Sequence, residues 1–297
     1  MQIAYWEMDR LGELAGIVNR SIEGVRYAAA LVPEAFAREV QRDLGDFDVY
    51  SLNDLEDEQL IVAEDGGAVG GFIHVATKLD KEKQARSGVV RYLAYEPDRR
   101  ATGQALIDAA EDYLREKGVG DIICFPKGFY YHFIDADGGI SERFGHIPSL
   151  LARNGYEVHH RTFTMALWPI DVAEPDPPTG DMEIEVEGLS VRMYASRRSR
   201  DAEPRGMCLT YRFDFLQPVE RARQQAFVQW LVVDEALRGD GWGRYLLQRS
   251  LWEAQERGFK ECVLCTSEGN YTARLLYASL GFTAVESLVK MRKAISH

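Results

Sequence analysis

A strand–turn–helix–strand pattern occurs twice in this chain of 297 residues, once on each side of a segment with three prolines within four positions, Pro175-Asp176-Pro177-Pro178. Such a segment can neither continue a helix nor pair as a central strand. It therefore predicts an extended, semi-rigid connection over residues 168–180. In the first copy, the β-prone run 88–95 leads through a polar turn to Leu106, Ile107, Ala110 and Leu114 at helical spacing. Lys117-Gly118 supplies a basic last turn and a glycine stop, and 122–125 reads as a buried strand. In the second copy, 227–233 is the strand and Leu246, Leu247, Leu251 and Ala254 form the helical stripe. Arg257-Gly258 closes that helix and 262–265 is the next strand. The ends also correspond: Leu151-Ala152-Arg153-Asn154-Gly155-Tyr156 parallels Tyr277-Ala278-Ser279-Leu280-Gly281-Phe282. An internal duplication accounts for all of this.

The expected division is thus a first domain at 1–167, a linker at 168–180 and a second domain at 181–297, both α/β with mixed central sheets. The first opens with a strand at 3–6, helical segments around 11–17 and 33–44, and hairpin strands at 59–64 and 68–77. After the linker, 184–191 and 207–215 read as strands and the chain runs straight to 227, leaving no room for a helix pair. The second copy is expected to lack that front layer.

The charge follows the same division. The net charge is −12. Residues 1–178 carry 18 Lys and Arg against 31 Asp and Glu, a balance of −13, and the remainder is nearly neutral. A nucleic-acid partner, which requires a basic face, is not expected. The acidity reads as a solvated surface, or as attraction for a cationic substrate. No apolar run reaches the roughly 18 residues of a membrane span, and the N-terminus has no secretory pattern. Four cysteines in a chain of this length form no disulfide framework, which points to the cytoplasm.

The chemistry concentrates in Arg238-Gly239-Asp240-Gly241-Trp242-Gly243-Arg244, between a strand and a helix. A helix start offers unpaired N–H groups and a positive dipole end, a good seat for a pyrophosphate. Glycines permit close backbone approach and positive φ, and the arginines add charge-assisted hydrogen bonds. A dinucleotide fingerprint counted from Gly239 needs glycine at Arg244, and Glu261 stands at the start rather than the end of the next strand. A P-loop needs Gly-Lys-Ser/Thr, which is absent. A glycine-rich connection without a ligand is the plain alternative.

Arg-x-x-Gly-x-Gly between a strand and a long helix resembles the GNAT superfamily of acyl-CoA-dependent N-acyltransferases. The resemblance covers about 207 to the end. Val233 stands five residues before Arg238, Arg238, Gly241 and Gly243 fill the motif, and Gly258 follows at 20 residues. Asn270, Ala273, Tyr277, Gly281 and Phe282 complete the closing pattern. The resemblance implies acetyl-CoA as cosubstrate, its pyrophosphate on the backbone of 238–244, and its pantetheine arm along Leu231 and Val233 and against Asn270. It also implies Tyr277 as the general acid for the departing thiolate. A phenol lies about 1.5 pKa units above a thiol. Tyr277 also shares a helical face with Ala273, Leu276 and Leu280, as a core aromatic would.

No general base is apparent. Strand alternation would turn Phe227, Gln229 and Leu231 one way, and a water relayed by Gln229 could serve. Glu235 and Glu268 are the nearest acids in sequence.

The first copy keeps only Arg100-Ala101-Thr102-Gly103-Gln104-Ala105, its helix is two residues short, and Leu151 stands where Tyr277 does. It reads as degenerate. Its aromatic run, with Phe129, Tyr130 and Tyr131, reads either as packing under a loop or as one wall of an acceptor pocket that the first domain completes. Cys262-x-x-Cys265 has no second pair at zinc spacing, His159-His160 face opposite ways along a strand, and no metal is expected. The expected protein is a cytoplasmic N-acetyltransferase, monomer or homodimer, that transfers acetyl directly to a small-molecule amine. The alternative is a non-catalytic acyl-CoA-binding or sensor protein.

Overall fold

Strand β1 (Gln2–Trp6) leads through a 3-10 turn to helices α1 (Ala15–Ser21) and α2 (Pro33–Gln41). Pro33 sits in the first turn of α2, where its missing N–H is no loss. Strands β2 (Leu55–Asp65) and β3 (Ala68–Asp80) form a hairpin. Gly66 and Gly67 turn between them at φ +61° and +86°, the two left-handed residues that a two-residue hairpin loop requires. Strand β4 (Ala85–Tyr95) pairs antiparallel with β3, helix α3 (Arg100–Glu116) crosses over, and β5 (Asp121–Cys124) lies parallel to β4. The short β6 (Ile140–Ser141), helix α4 (His146–Arg153) and strand β7 (Glu157–Leu167) end the first copy. The structure, a computed structural model, describes residues 1–45, 51–80, 85–195 and 203–295.

The second copy begins with β8 (Met182–Glu187) and β9 (Ser190–Ala195). One strand was expected over 184–191; Gly188, at φ +59°, reverses the chain there and makes a hairpin. Strand β10 (Gly206–Arg212) pairs antiparallel with β9 and with β11 (Gln225–Val233). Helix α5 (Trp242–Glu256), strand β12 (Glu261–Ser267) parallel to β11, helix α6 (Tyr271–Ser279) and strand β13 (Thr283–Ala294) follow. Among the described residues of 181–226 the only helical turns are 3-10, at Phe213–Phe215 and Glu220–Gln224, so this copy lacks the helix pair of the first.

Each copy buries one face of its long helix. In the first, Leu106, Ile107, Ala110 and Leu114 of α3 are fully buried. In the second, Leu246, Leu247, Leu251 and Ala254 of α5 pack with Val191, Met193, Cys208, Val228, Cys262 and Leu264. These are the stripes that the periodicity predicts.

The compact units do not follow the expected division. One comprises Met1–Thr162 with Glu286–His297, the other Phe163–Val285. The end of β13 belongs to the first unit because it pairs there, Met291 opposite Cys124 of β5 and Leu288 opposite Ser141 of β6. The proline-rich segment does more than connect. It is an arm of the second unit: Ile170 is buried, its N–H donates to Lys260 O at 3.0 Å, and Val172 exchanges hydrogen bonds with the Gln255 amide of α5 at 2.9 and 3.2 Å. Arg249 of α5 holds Glu174 at 3.1 Å. Among the described residues no helix is long and apolar enough to cross a membrane.

Candidate active site

The site is prepared by a strand that leaves its neighbour. β11 pairs with β12 only from Gln225 opposite Glu261 to Val228 opposite Leu264. Beyond Val228 its described pairing continues on the β10 side alone, as far as Val233 opposite Gly206. At the parting point the register slips. Val228 faces Thr210 and Trp230 faces Leu209, so Gln229 is the extra residue of a β-bulge. Simple alternation of Phe227, Gln229 and Leu231 therefore does not hold. The backbone edge of 229–233 toward β12 can serve an extended ligand, and Leu231 and Val233 lie on it, half-buried.

Buried hydroxyls fix the bulge from the opposite strand. Ser190 accepts from Thr210 N–H at 3.0 Å and donates to Thr210 O at 3.1 Å. Ser250 of α5 donates to Leu189 O at 2.8 Å, so the 2.7 Å contact with Thr210 Oγ1 has Thr210 as donor. All three side chains are buried. The bulge is thus tied to the helix that opens at the glycine loop. This chain of hydroxyls has no sequence signature and was not expected.

Between β11 and α5 the backbone turns left-handed twice, at Gly239 (φ +94°) and Gly241 (φ +89°). A side chain at either would be strained. Gly241 is the N-cap of α5 and brings no side-chain cap, so the first-turn amides keep their donors for a ligand. Trp242 is buried against Tyr245 and anchors the helix start, while Arg238, Asp240 and Arg244 are exposed. Arg238 Nε donates to Val233 O at 3.2 Å, and Arg244 Nη1 donates to Ser279 Oγ of α6 at 2.9 Å. A Cβ on Gly243 would lie 3.7 Å from Val233 Cγ2 and 3.8 Å from Leu276 Cδ2. The end of β11, the glycine loop and α6 therefore meet at Gly243. This uncapped, glycine-lined helix start, flanked by two guanidinium groups, fits a pyrophosphate.

On α6, Asn270 is the N-cap and accepts from Ala273 N–H at 3.3 Å. Its Nδ2 group is chemically a donor for a ligand carbonyl. Tyr277 is buried beside Phe282, with ring centroids 6.0 Å apart, and no hydrogen-bond partner for its hydroxyl occurs among the described residues. Burial pushes its pKa up to about 12, with Cys208 a lesser contributor. Tyr277 is therefore a protonated donor at any physiological pH. Its pKa lies roughly 3.5 units above a free thiol's, a wider gap than its unperturbed value suggests.

The acids near the loop are engaged or exposed. Asp234 accepts from Ala236 N–H at 3.0 Å and lies 2.6 Å from Arg205; the backbone N–H and Arg205 together hold its carboxyl below the usual range. Glu235 and Glu268 are exposed. Among the described residues no group of three or more His, Cys, Asp or Glu could hold a metal ion.

Phe129, Tyr130 and Tyr131, expected to offer a pocket wall, lie instead in the core of the first unit, at most 2% exposed. Tyr131 stacks on Tyr92 of β4 at 4.9 Å, meets Phe36 of α2 edge-on at 5.8 Å, and its hydroxyl lies 2.8 Å from His74 Nδ1. Gly103 also serves packing. A Cβ there would come within 2.6 Å of the Tyr95 ring and 2.7 Å of Leu150 Cδ2.

Residues 161–282 match the sequence profile of the Acetyltransferase (GNAT) family. None of the curated proteins matches the chain. Among solved structures, a tandem GNAT protein from the clavulanic acid biosynthesis pathway is 13% identical over 100% of this chain and 99% of its own, with a TM-score of 0.71. A GCN5-related N-acetyltransferase from Sphaerobacter thermophilus is 16% identical over 99% and 96%, with a TM-score of 0.62. Residues 161–282 thus form a domain of the acetyltransferase (GNAT) family, in a chain with the fold of tandem GNAT proteins.

Proposed function

We propose that this protein is an N-acetyltransferase that moves an acetyl group from acetyl-CoA directly to the amine of a small molecule. The observation that carries this reading is the convergence at Gly243 of three parts: the open edge of β11, the uncapped glycine loop, and the helix bearing Tyr277. In this reading the amides of 239–244 with Arg238 and Arg244 bind the pyrophosphate. Leu231 and Val233 pair their backbone with the pantetheine amides, and Asn270 donates to the same arm.

The chemistry asked of the chain is modest. The neutral amine nitrogen attacks the thioester carbonyl carbon, a C–N bond forms, the C–S bond breaks, and the thiolate leaves. Backbone N–H groups at the bulge polarise the carbonyl, and fixed orientation supplies much of the acceleration. Tyr277 donates a hydrogen bond to the sulfur as charge develops. Its raised pKa makes it a stabiliser of the thiolate at least as much as a complete proton donor. The amine's surplus proton leaves to water, since no carboxylate or imidazole occupies the bulge position, which is Gln229.

The test is release of free thiol from acetyl-CoA with a panel of small amines, and mass detection of the acetylated product. Binding of acetyl-CoA with no thiol released by any amine would favour the sensor reading instead.

A further inference from the structure

In the first unit, the place that matches the candidate active site is tied to α4, and a cleft stays open beside it. The residue in Val233's position is Tyr95, five before the loop arginine. Its hydroxyl donates to His146 O at 3.0 Å, and His146 Nε2 lies 3.3 Å from Tyr95 O. These two bonds join the end of β4 to the first turn of α4. Tyr130 and Tyr131 lie over Tyr92, within 5.9 Å of its ring, and Gly103 is packed against Tyr95. The end of β4 that corresponds to the pantetheine edge is thus sealed at Tyr95 by the unit's own His146.

Next to this seal a cleft of about 460 Å³ remains, bounded by α1 and the turn after it, the end of β4 and the start of α4. The volume is ordinary for a small-molecule site. Ile17 and Phe144 give it apolar surface, and Arg20, Arg143, Glu23 and Glu96 give it charge of both signs. The unit as a whole holds 21 Lys and Arg against 29 Asp and Glu, a balance of −8. The four side chains that line it balance, and with Glu286 behind Arg143 the local excess is a single negative charge, far less than that of the unit as a whole.

Both arginines keep most of their side chain exposed, and Arg20 is loosely held. Arg20 Nε lies 3.5 Å from Glu96 and Arg143 Nε lies 3.2 Å from Glu286, and their side chains are 61% and 60% exposed. Arg91 in the same unit is by contrast fixed through three nitrogens at 2.7 to 2.8 Å. The Arg20–Glu96 pair is exposed on both sides and contributes little, whereas Glu286 behind Arg143 is buried and keeps its partner. A ligand carboxylate can take over Arg20 at small cost and add to the exposed face of Arg143 without displacing Glu286. Glu96, so released, can then with Glu23 accept a ligand ammonium, so the number of ion pairs grows on binding.

We infer that this cleft binds a small zwitterion, a carboxylate and an ammonium carried on an apolar body, as in an apolar α-amino acid. The inference does not depend on acyl transfer by the second unit, and its test reads binding alone.

Titration of the full chain with L-phenylalanine, N-acetyl-L-phenylalanine and phenethylamine, by calorimetry or saturation-transfer NMR, decides it. L-phenylalanine should bind. Each analogue lacks one charge and should bind at least about tenfold more weakly. Arg20→Gln and Glu96→Gln should each cause a similar loss, with an unchanged melting temperature. Absence of L-phenylalanine binding at roughly millimolar concentration overturns the inference, as does equal affinity for the N-acetyl analogue. Displacement by acetyl-CoA, with both variants behaving as wild type, would make the cleft a cofactor slot and overturn it too.

Discussion

Arg91 and Gln229 are counterparts: each is the residue left over at a bulge, nine positions before the loop arginine, Arg100 or Arg238. In the first unit the bulge side chain turns inward. The Arg91 guanidinium donates to Phe129 O, Val40 O and Glu58, and Glu58 lies 3.1 Å from the buried His74. Burial drives the His74 pKa down to about 4, so the imidazole beside this arginine is neutral. In the second unit the bulge is held from the opposite strand by Thr210, Ser190 and Ser250, and Gln229 is left half-buried. One backbone device survives in both copies. Beyond it the carbonyl of Tyr95 is met by His146 in the first copy, and that of Val233 by the Arg238 side chain in the second.

The glycines of the two loops should respond differently to substitution. Gly241→Ala places a side chain at φ +89°, which costs about 1–2 kcal/mol locally or forces the loop to move. Acetyl-CoA affinity measured by calorimetry should fall. Gly103→Ala instead drives a Cβ to 2.6 Å from Tyr95, an overpacking of about 1–3 kcal/mol. Its melting temperature should drop with acetyl-CoA affinity unchanged.

Tyr277→Phe keeps the ring against Phe282 and removes a hydroxyl that has no partner among the described residues. Turnover should fall by roughly 10²–10⁴, with acetyl-CoA affinity and melting temperature preserved. The pH dependence has a definite sign. The folded-state pKa of about 12 lies above the ordinary 10, so ionisation of Tyr277 cannot cause a decline in rate below about pH 10. Between 10 and 12 the unfolded chain loses the proton first, so this residue's contribution to stability is lost as pH rises through that window. Wild type and Tyr277→Phe compared in thermal melts from pH 9 to 11 should diverge in that direction.

The local chemistry was legible in the sequence because it depends on near neighbours. Arg238, Gly241 and Gly243 announce the loop by their spacing, and the stripe of Leu246, Leu247 and Leu251 announces its helix. The bulge at Gln229 was not legible, since a register slip depends on which residue the facing strand offers. The compact units depart from the expected division for the same kind of reason. Nothing in 286–294 says that its partners are β5 and β6, more than a hundred residues earlier. The proline run reads as an extended, semi-rigid linker, and its attachment to α5 is not legible because the bonds to Gln255 and Arg249 are long-range.

Thr210 should prove to be a positioning residue. Thr210→Val keeps the shape and deletes the donor to Ser250, leaving Ser250 Oγ without that partner in the core. The stability cost should be about 1–3 kcal/mol. If the hydroxyl chain also fixes the bulge, turnover should fall while acetyl-CoA affinity, set mainly by the glycine loop, changes little. Thr210→Ser, which restores the hydroxyl, should recover turnover more fully than stability. Equal turnover in all three proteins at one temperature would leave Thr210 a core residue only.

The last expectation concerns separability. A fragment of residues 179–297 follows the proline run, but it cuts the second unit in the wrong places. It loses Met165, Leu167 and Ile170 from the core, each worth about 1.5–3 kcal/mol when buried. It also loses Thr164, 3.7 Å from Cys265 of β12. At its other end it carries 286–294 without β5 and β6, an unpaired strand that would expose Leu288, Val289 and Met291, all buried in the whole chain. The fragment should be insoluble or lack a cooperative melt by circular dichroism, and a fragment of 163–285 should retain more structure and more affinity for acetyl-CoA. A soluble 179–297 with a sharp thermal transition would show that the proline arm and the end of β7 are dispensable, and that the second unit's core is complete without them.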